Sequence, residues 1–183
     1  LLWNAEEHMR EHGLAPGKFV CVPNGFSENE WTEDVFKQEL PEAHSQAFQS
    51  LKGKTIIGFA GGFAASGTID NLVEAANLLK DEKNLHFVLV GKGPEESFYR
   101  NQISKYGLNN VTILPAVPKV LVPTVIQHFD ITFLGGVHSV LHKYGTSPNK
   151  VTDYMLSAKP IVHAVDEPGS VVERLKCGIR VEA

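Results

Sequence analysis

The chain has 183 residues and a mass of 20.1 kDa, with 43% hydrophobic and 21% charged residues, enough to bury one core and too evenly mixed for a disordered tract. Its net charge of -4, its pI near 6.1 and its scattered Lys and Arg residues give no basic field for the phosphates of nucleic acid. No apolar run nears the roughly 18 residues of a membrane span, and Cys21 and Cys177 stand far apart. Neither a disulfide framework nor a zinc knuckle is indicated, and a reducing compartment fits.

The chain opens LLWNAEEHMREHG without a Met and stops at RVEA, directly after a strand-like run, so a piece of a longer protein is expected. Leu2 to His12 carries Trp3, Glu6, Met9 and Arg10 at helical spacing, and Gly13 supplies the stop. FVCVPNG is expected as a short strand and turn, and Glu28 to Lys54 as polar, irregular or helical connecting structure. From Thr55 the pattern is regular. TIIGFA, HFVLVG, VTILPA, DITFLGG, PIVHAV and IRVEA read as strands. The runs between them, TIDNLVEAANLLKD, PEESFYRNQISKYG, KVLVPTVIQHF, PNKVTDYMLSA and GSVVERLKCG, read as helices. Short, continuously apolar strands alternating with helices predict a doubly wound parallel α/β sheet with helices on both faces.

Ligands of such sheets bind beyond the carboxyl ends of the strands, which places GGFAASG, GKGP, PAVP, HSVLHKYGTSP and VDEPG on one rim. In GGFAASG, Gly61 and Gly62 would let backbone N–H groups approach a phosphate, although a plain tight turn has the same composition. The gap from Gly62 to Gly67 is that of a P-loop, but Thr68 stands where the phosphate-binding Lys belongs. A dinucleotide frame on Gly62, Ala64 and Gly67 is imperfect at its middle position, and VGKG carries no acid for a ribose, which disfavours NAD. His138 and His142 have the spacing of a helical metal pair, but the neighbouring Glu of zinc proteases and a third ligand are missing, so no metal site is expected.

In YGTSPNKVTDYMLSAKPIV, Ser147 suits the N-cap and Pro148 the first helical position, with the free N–H groups facing the rim. Lys150 in the first turn opposes the helix dipole unless an anion sits in front of it. Asp153 shares a side with Asn149 and Lys150 and is placed to accept hydrogen bonds from sugar hydroxyls; an exposed Lys150–Asp153 ion pair is the plain alternative.

The order VPNG, Gly-rich loop, VGKGPEE, NVTILPAV, DITFL and SPNKVTDYMLSAKPIV resembles the C-terminal, donor-binding half of retaining, two-Rossmann-domain (GT-B) glycosyltransferases of group 1. The likeness covers about Phe19 to Ala183 and is nearest to bacterial members that build surface polysaccharides. It implies that residues 1–54 are the trailing part of an N-terminal domain and its connection, and that residues 55–183 form a Rossmann-like nucleotide-sugar domain truncated at its carboxyl end. A nucleotide-diphosphate sugar, by resemblance a UDP-sugar, would lie across the rim. Val117 would border the base with Gly91 nearby, the amides of Ser147, Pro148, Asn149 and Lys150 would meet the diphosphate, and Asp153 would hold the ribose. Lys150 is the expected catalytic cation, offsetting charge on the leaving diphosphate without a metal. The acceptor, a saccharide or lipid-linked saccharide, would come through the missing N-terminal domain, and the piece alone would bind donor without transferring it. A cytoplasmic protein follows, with its parent peripheral to the inner face of the membrane. Two features depart from the family: the first loop has no Arg or Lys, and Gly145 stands where the first of two paired Glu residues is usual. A nucleotide-sugar epimerase half and a non-catalytic flavodoxin-like binding module are the alternatives.

Overall fold

The computed structural model describes residues 2–182 apart from Pro23, residues 65–68, His138 and Pro168. Six parallel strands form one sheet: β1 (Thr55–Gly62), β2 (Leu85–Lys92), β3 (Val111–Pro115), β4 (Ile131–Gly135), β5 (Ile161–Ala164) and β6 (Gly178–Val181), in the spatial order β3-β2-β1-β4-β5-β6. This is the doubly wound order whose direction reverses between β1 and β4. The helices are α1 (Glu6–Glu11), α2 (Glu33–Phe36), α3 (Glu42–Ser50), α4 (Ile69–Leu78), α5 (Glu96–Tyr106), α6 (Val122–Gln127), α7 (Asn149–Leu156) and α8 (Val171–Arg174).

Each face of the sheet carries its own helical layer. Phe59, Phe87, Leu89 and Phe133 meet Ile69, Leu72, Val73 and Ala76 of α4 and Tyr99 of α5. On the other face Ile56, Ala60, Val88, Val90, Leu134 and Ile161 meet Phe48 of α3, Val125 and Ile126 of α6, Val151 and Tyr154 of α7, and Val172 of α8. Two buried faces explain the unbroken apolar run of β2, which has no solvent side to occupy.

Register places the reaction-sized gap. β1 pairs with β2 along its whole length, from Thr55 opposite Leu85 to Gly62 opposite Lys92. With β4 it pairs only at Ile57 and Gly58, opposite Ile131 and Thr132. Beyond Gly58 the two strands part, and the backbone N–H of Ala60 donates instead to Tyr154 Oη at 3.1 Å. A crevice therefore opens toward the carboxyl rim at the reversal point.

Several expectations are corrected. FVCVPNG forms no strand among its described residues; Val20 and Val22 are exposed, and Asn24 is tethered to the start of α7 rather than to a sheet edge. The first helix is shorter than Leu2 to His12, because Trp3 turns aside to bond Glu167; Gly13, at φ +98°, follows its end. The polar stretch ahead of β1 holds α2 and α3 and sends Val35, Phe48 and Leu51 into the core. Among the described residues no helix is long and apolar enough to cross a membrane.

Candidate functional site

The carboxyl ends of β1, β2 and β3 enclose a cavity of about 370 Å³ lined by Gly61, Gly62, Gly91, Lys92, Val117, Lys119 and Val122 among others. Gly61, Gly62, Gly91 and Val117, expected on the rim, thus share one wall. Three larger clefts lie elsewhere among the described residues: one of about 890 Å³ between α1 and Tyr144, one of about 720 Å³ beside Lys54, Ile56 and Asp130 at the amino ends of β1 and β4, and one of about 410 Å³ between α5 and the start of β3. The second is on the wrong end of the sheet for a doubly wound site.

Lys150, the second residue of α7, lays its side chain across Gly61. A methyl at Gly61 would sit 2.0 Å from Lys150 Cε and 2.7 Å from Nζ, so the glycine is what lets the lysine stem cross the strand. The ammonium rests 5.0 Å from the centroid of the Phe59 ring. It is half-buried, and among the described residues it has neither an ion pair within 4.0 Å nor a hydrogen-bond partner. Burial pulls its pKa below the ordinary lysine range, and the charge of Asp153 opposes that pull. The exposed Lys150–Asp153 pair is therefore not what forms.

Ser147 does not cap α7. The N-cap is Pro148, in extended backbone and without a side-chain cap bond, so the helix begins one residue later than its composition predicts. Ser147 instead offers its carbonyl to Asn24 Nδ2 at 2.8 Å, and the same amide donates to Asn149 Oδ1 at 2.6 Å. Proline has no N–H, and the first-turn amides of Asn149 and Lys150 find no acceptor among the described residues. The helix thus presents unpaired donors beside an unpaired cation.

Asp153 faces a neighbouring cavity of about 340 Å³ that also takes in Trp31, Lys119 and Pro123. Burial raises its carboxyl pKa, the charge of Lys119 lowers it, Glu30 raises it, and a hydrogen bond from the Trp31 side chain and the charge of Lys150 lower it. Lys119 pairs with Glu30 at 2.8 Å and lines both cavities, so it links the Val117 wall to the Asp153 wall.

The loop entering α7 is held from behind. Glu167, fully buried, accepts from Trp3 Nε1 at 2.8 Å, from Thr146 N at 2.9 Å and from Thr146 Oγ1 at 2.5 Å. Arg174 lies over the Trp3 ring at 4.8 Å. Gly145 has φ +101°, and a Cβ there would sit 2.7 Å from Trp3 Cδ1. A side chain at 145 would need a strained backbone and a shift of Trp3, so the position as folded here suits glycine rather than the Glu of the paired pattern. The carboxylate nearest that position belongs to Glu167, whose oxygens are already taken.

His142 sits in a 3₁₀ turn, Val140–Tyr144, with its Nδ1 buried and unpaired. Its expected partner His138 lies outside the described residues, as do Gly67 and Thr68 of the first loop. Sequence reasoning missed Lys119, Trp31, Asn24 and Glu167. The signals were modest: Lys119 directly follows the PAVP rim loop, Asn24 is the Asn of VPNG, and Glu167 is the second of the two acids of VDEPG.

The strand order and the crevice at its reversal define a Rossmann-like α/β domain, and its carboxyl rim carries the candidate site. The chain belongs to the family Glycosyl transferases group 1, whose model matches residues 42–181. It is 26% identical over 153 residues to WcaI of Escherichia coli (strain K12), which carries the name of a colanic acid biosynthesis glycosyl transferase; the match covers 79% of this chain and 34% of that protein. Among solved structures it is similar to WaaG, a glycosyltransferase involved in lipopolysaccharide biosynthesis, at TM-score 0.68 and 14% identity over 100% of this chain and 48% of that one. It is also similar to HepE of Anabaena in complex with UDP and glucose, at TM-score 0.59 and 19% identity over 80% of this chain and 38% of that one. The chain spans about a third to a half of the length of these relatives.

Proposed function

We propose that this chain is the donor-binding half of a retaining glycosyltransferase, which moves a sugar from a nucleotide-diphosphate donor to a saccharide or lipid-linked acceptor in polysaccharide synthesis. The observation that carries the reading is Lys150. A half-buried ammonium that has no ion pair among the described residues, crossing Gly61 beside first-turn amides of α7 that find no acceptor among them, suits an anion.

A diphosphate placed there would receive the Lys150 charge and the Asn149 and Lys150 N–H donors. As the bond from the anomeric carbon to the diphosphate oxygen breaks, negative charge grows on that oxygen. Fixed donors aimed at it stabilise the charge more than they stabilise the bound donor, which lowers the barrier. The cavity along Gly91 and Val117 is of a size and polarity to take the base, and Asp153 with Lys119 would face the ribose. UDP is the proposed nucleotide, and metal is not required. Alone the chain would bind donor and transfer nothing; the parent would work on the cytoplasmic side, at the inner face of the membrane.

Calorimetric titration with UDP, GDP, ADP and NAD in turn, with and without Mg²⁺, tests the reading. Saturable binding of UDP in the absence of metal is expected. Binding of NAD alone, or of a nucleotide only with Mg²⁺, would overturn it.

A further inference from the structure

Among the described residues one group of three metal-type side chains converges, and it lies outside the rim. His8, Glu11 and His12 each place one ligand atom within 4.8 Å of the other two. The spacing H-x-x-E-H puts both imidazoles and the carboxylate on one face of α1.

The hydrogen bonds around the two rings set their tautomers. His12 Nδ1 lies 2.8 Å from the carbonyl oxygen of His8, an acceptor only, so Nδ1 carries the proton and Nε2 keeps its lone pair. His8 Nδ1 lies 3.2 Å from Tyr144 Oη, which can accept its N–H and leave the second Nε2 free as well. This is the outer arrangement that metal-bound histidines use, the second ring nitrogen donating to an oxygen that orients the ligand. The rings stand 4.3 Å apart by centroid, and Glu11 and His12 are exposed, which leaves their side chains room to turn toward one ion; zinc takes such ligands at roughly 2.0–2.2 Å.

We propose that His8, Glu11 and His12 form a binding site for a divalent transition-metal ion of the zinc type, with Tyr144 as the positioning residue of His8. Two imidazoles and one carboxylate favour Zn²⁺ over Mg²⁺ or Ca²⁺, which prefer all-oxygen sets. Water would complete a tetrahedral shell from the open cleft beside Tyr144. The ion would clip two residues of a six-residue helix, too short to hold itself, to its C-cap His12, and would tie it to the Tyr144 turn. The inference is independent of any reading of the rim.

The test is competition for Zn²⁺ with a chromophoric chelator, read on the whole chain and on variants. One equivalent should bind, with little competition from Mg²⁺. His8→Ala and His12→Ala should each weaken binding at least about tenfold, and Tyr144→Phe by a smaller factor, as loss of an orienting partner does. Zn²⁺ should raise the thermal midpoint of the parent chain and leave that of the double variant His8→Ala/His12→Ala in place. The proposal fails if the His variants bind Zn²⁺ as the parent does, if Cys21→Ser or Cys177→Ser abolishes binding instead, or if no binding appears at about 1 mM, an affinity of only about −4 kcal/mol.

Discussion

Replacement of Lys150 separates an anion site from a structural ion pair by two readouts of opposite sign. Lys150→Met keeps an apolar stem over Phe59 and Gly61 and deletes the charge. If the ammonium meets a diphosphate in this half-buried crevice, it makes the kind of charge-assisted hydrogen bond that contributes about 1.5–3 kcal/mol. At about 1.4 kcal/mol per tenfold, UDP affinity should fall by roughly 10- to 150-fold. A solvent-screened surface lysine would give about 0.2–1 kcal/mol, at most about fivefold. Stability of the free protein should move the other way. Lys150 is a partly desolvated charge with neither an ion pair nor a hydrogen bond among the described residues, so its removal should leave the thermal midpoint unchanged or raise it. The pH profile has a fixed sign too: the folded pKa lies below the ordinary lysine value, so the unfolded chain binds more protons between the two. Stability contributed at this site therefore rises with pH through that window, while UDP affinity falls as Lys150 loses its charge. Calorimetry with UDP and a thermal melt of both proteins decide it. A loss under about fivefold, or a lowered midpoint with unchanged affinity, would remove Lys150 from the site.

Gly61→Ala places a methyl 2.0 Å from Lys150 Cε, so the lysine must swing off the strand; UDP binding should weaken several-fold in the parent and hardly at all in a Lys150→Met background, as titrations of the four proteins would show. Glu167→Ala strands the Trp3 indole N–H and the Thr146 donors in a buried spot and should cost about 2–5 kcal/mol. At about 2–4 °C per kcal/mol that is a midpoint lowered by roughly 4–20 °C. Tyr154→Phe leaves the Ala60 N–H without its acceptor inside the sheet, worth about 1–3 kcal/mol in urea unfolding, and unchanged stability would mean that water replaces the hydroxyl. His86 and His163 are pulled down to about 4, first by burial, with Lys54 adding at His86. Below the ordinary value of about 6.5 the unfolded chain takes up protons that the folded one refuses, so stability should decline from about pH 6.5 toward pH 4. Asp70 and Asp153, both raised by burial, act in the opposite direction nearer the carboxylate range, so urea midpoints at pH 7 and pH 5.5 are the clean comparison.

What could be seen from residues alone depended on whether a signal was local. The inner strands β1, β2, β4 and β5 were legible because both their faces are largely buried, and burial writes itself as an unbroken apolar run, whereas β6 is an edge with Ile179 and Val181 exposed. The head of α7 was legible to within one residue: Pro148 occupies the cap, and Ser147 spends its carbonyl on Asn24 instead of its hydroxyl on the helix. FVCVPNG misled because alternating apolar residues suit a half-buried pleated surface, whereas Val20 and Val22 are exposed and the described residues of the segment form no strand. Lys119 and Trp31 escaped notice because their roles arise from segments nearly 90 residues apart brought to one cavity. Glu167 was unreadable for the same reason, since its partner Trp3 lies 164 residues away.

The crevice follows from the winding itself. β1 sends its connection through α4 to β2 on one face, whereas β4 is reached through α6 on the other, so nothing spans the gap between their carboxyl ends. The ladder between them stops at Gly58, and a backbone donor left in that gap must be met by something. Helix α7 meets that donor through Tyr154, which turns inward to accept from Ala60, and one turn earlier it sends Lys150 across Gly61 at the rim. Residues 151 and 154 share the buried stripe of the helix, while 150 and 153 share the adjacent one, with Lys150 against Gly61 and Asp153 on the smaller cavity. One helix thus divides core support and ligand charge between neighbouring stripes. Changes at Tyr154 should therefore register in unfolding and changes at Lys150 in binding, each with little effect on the other measurement.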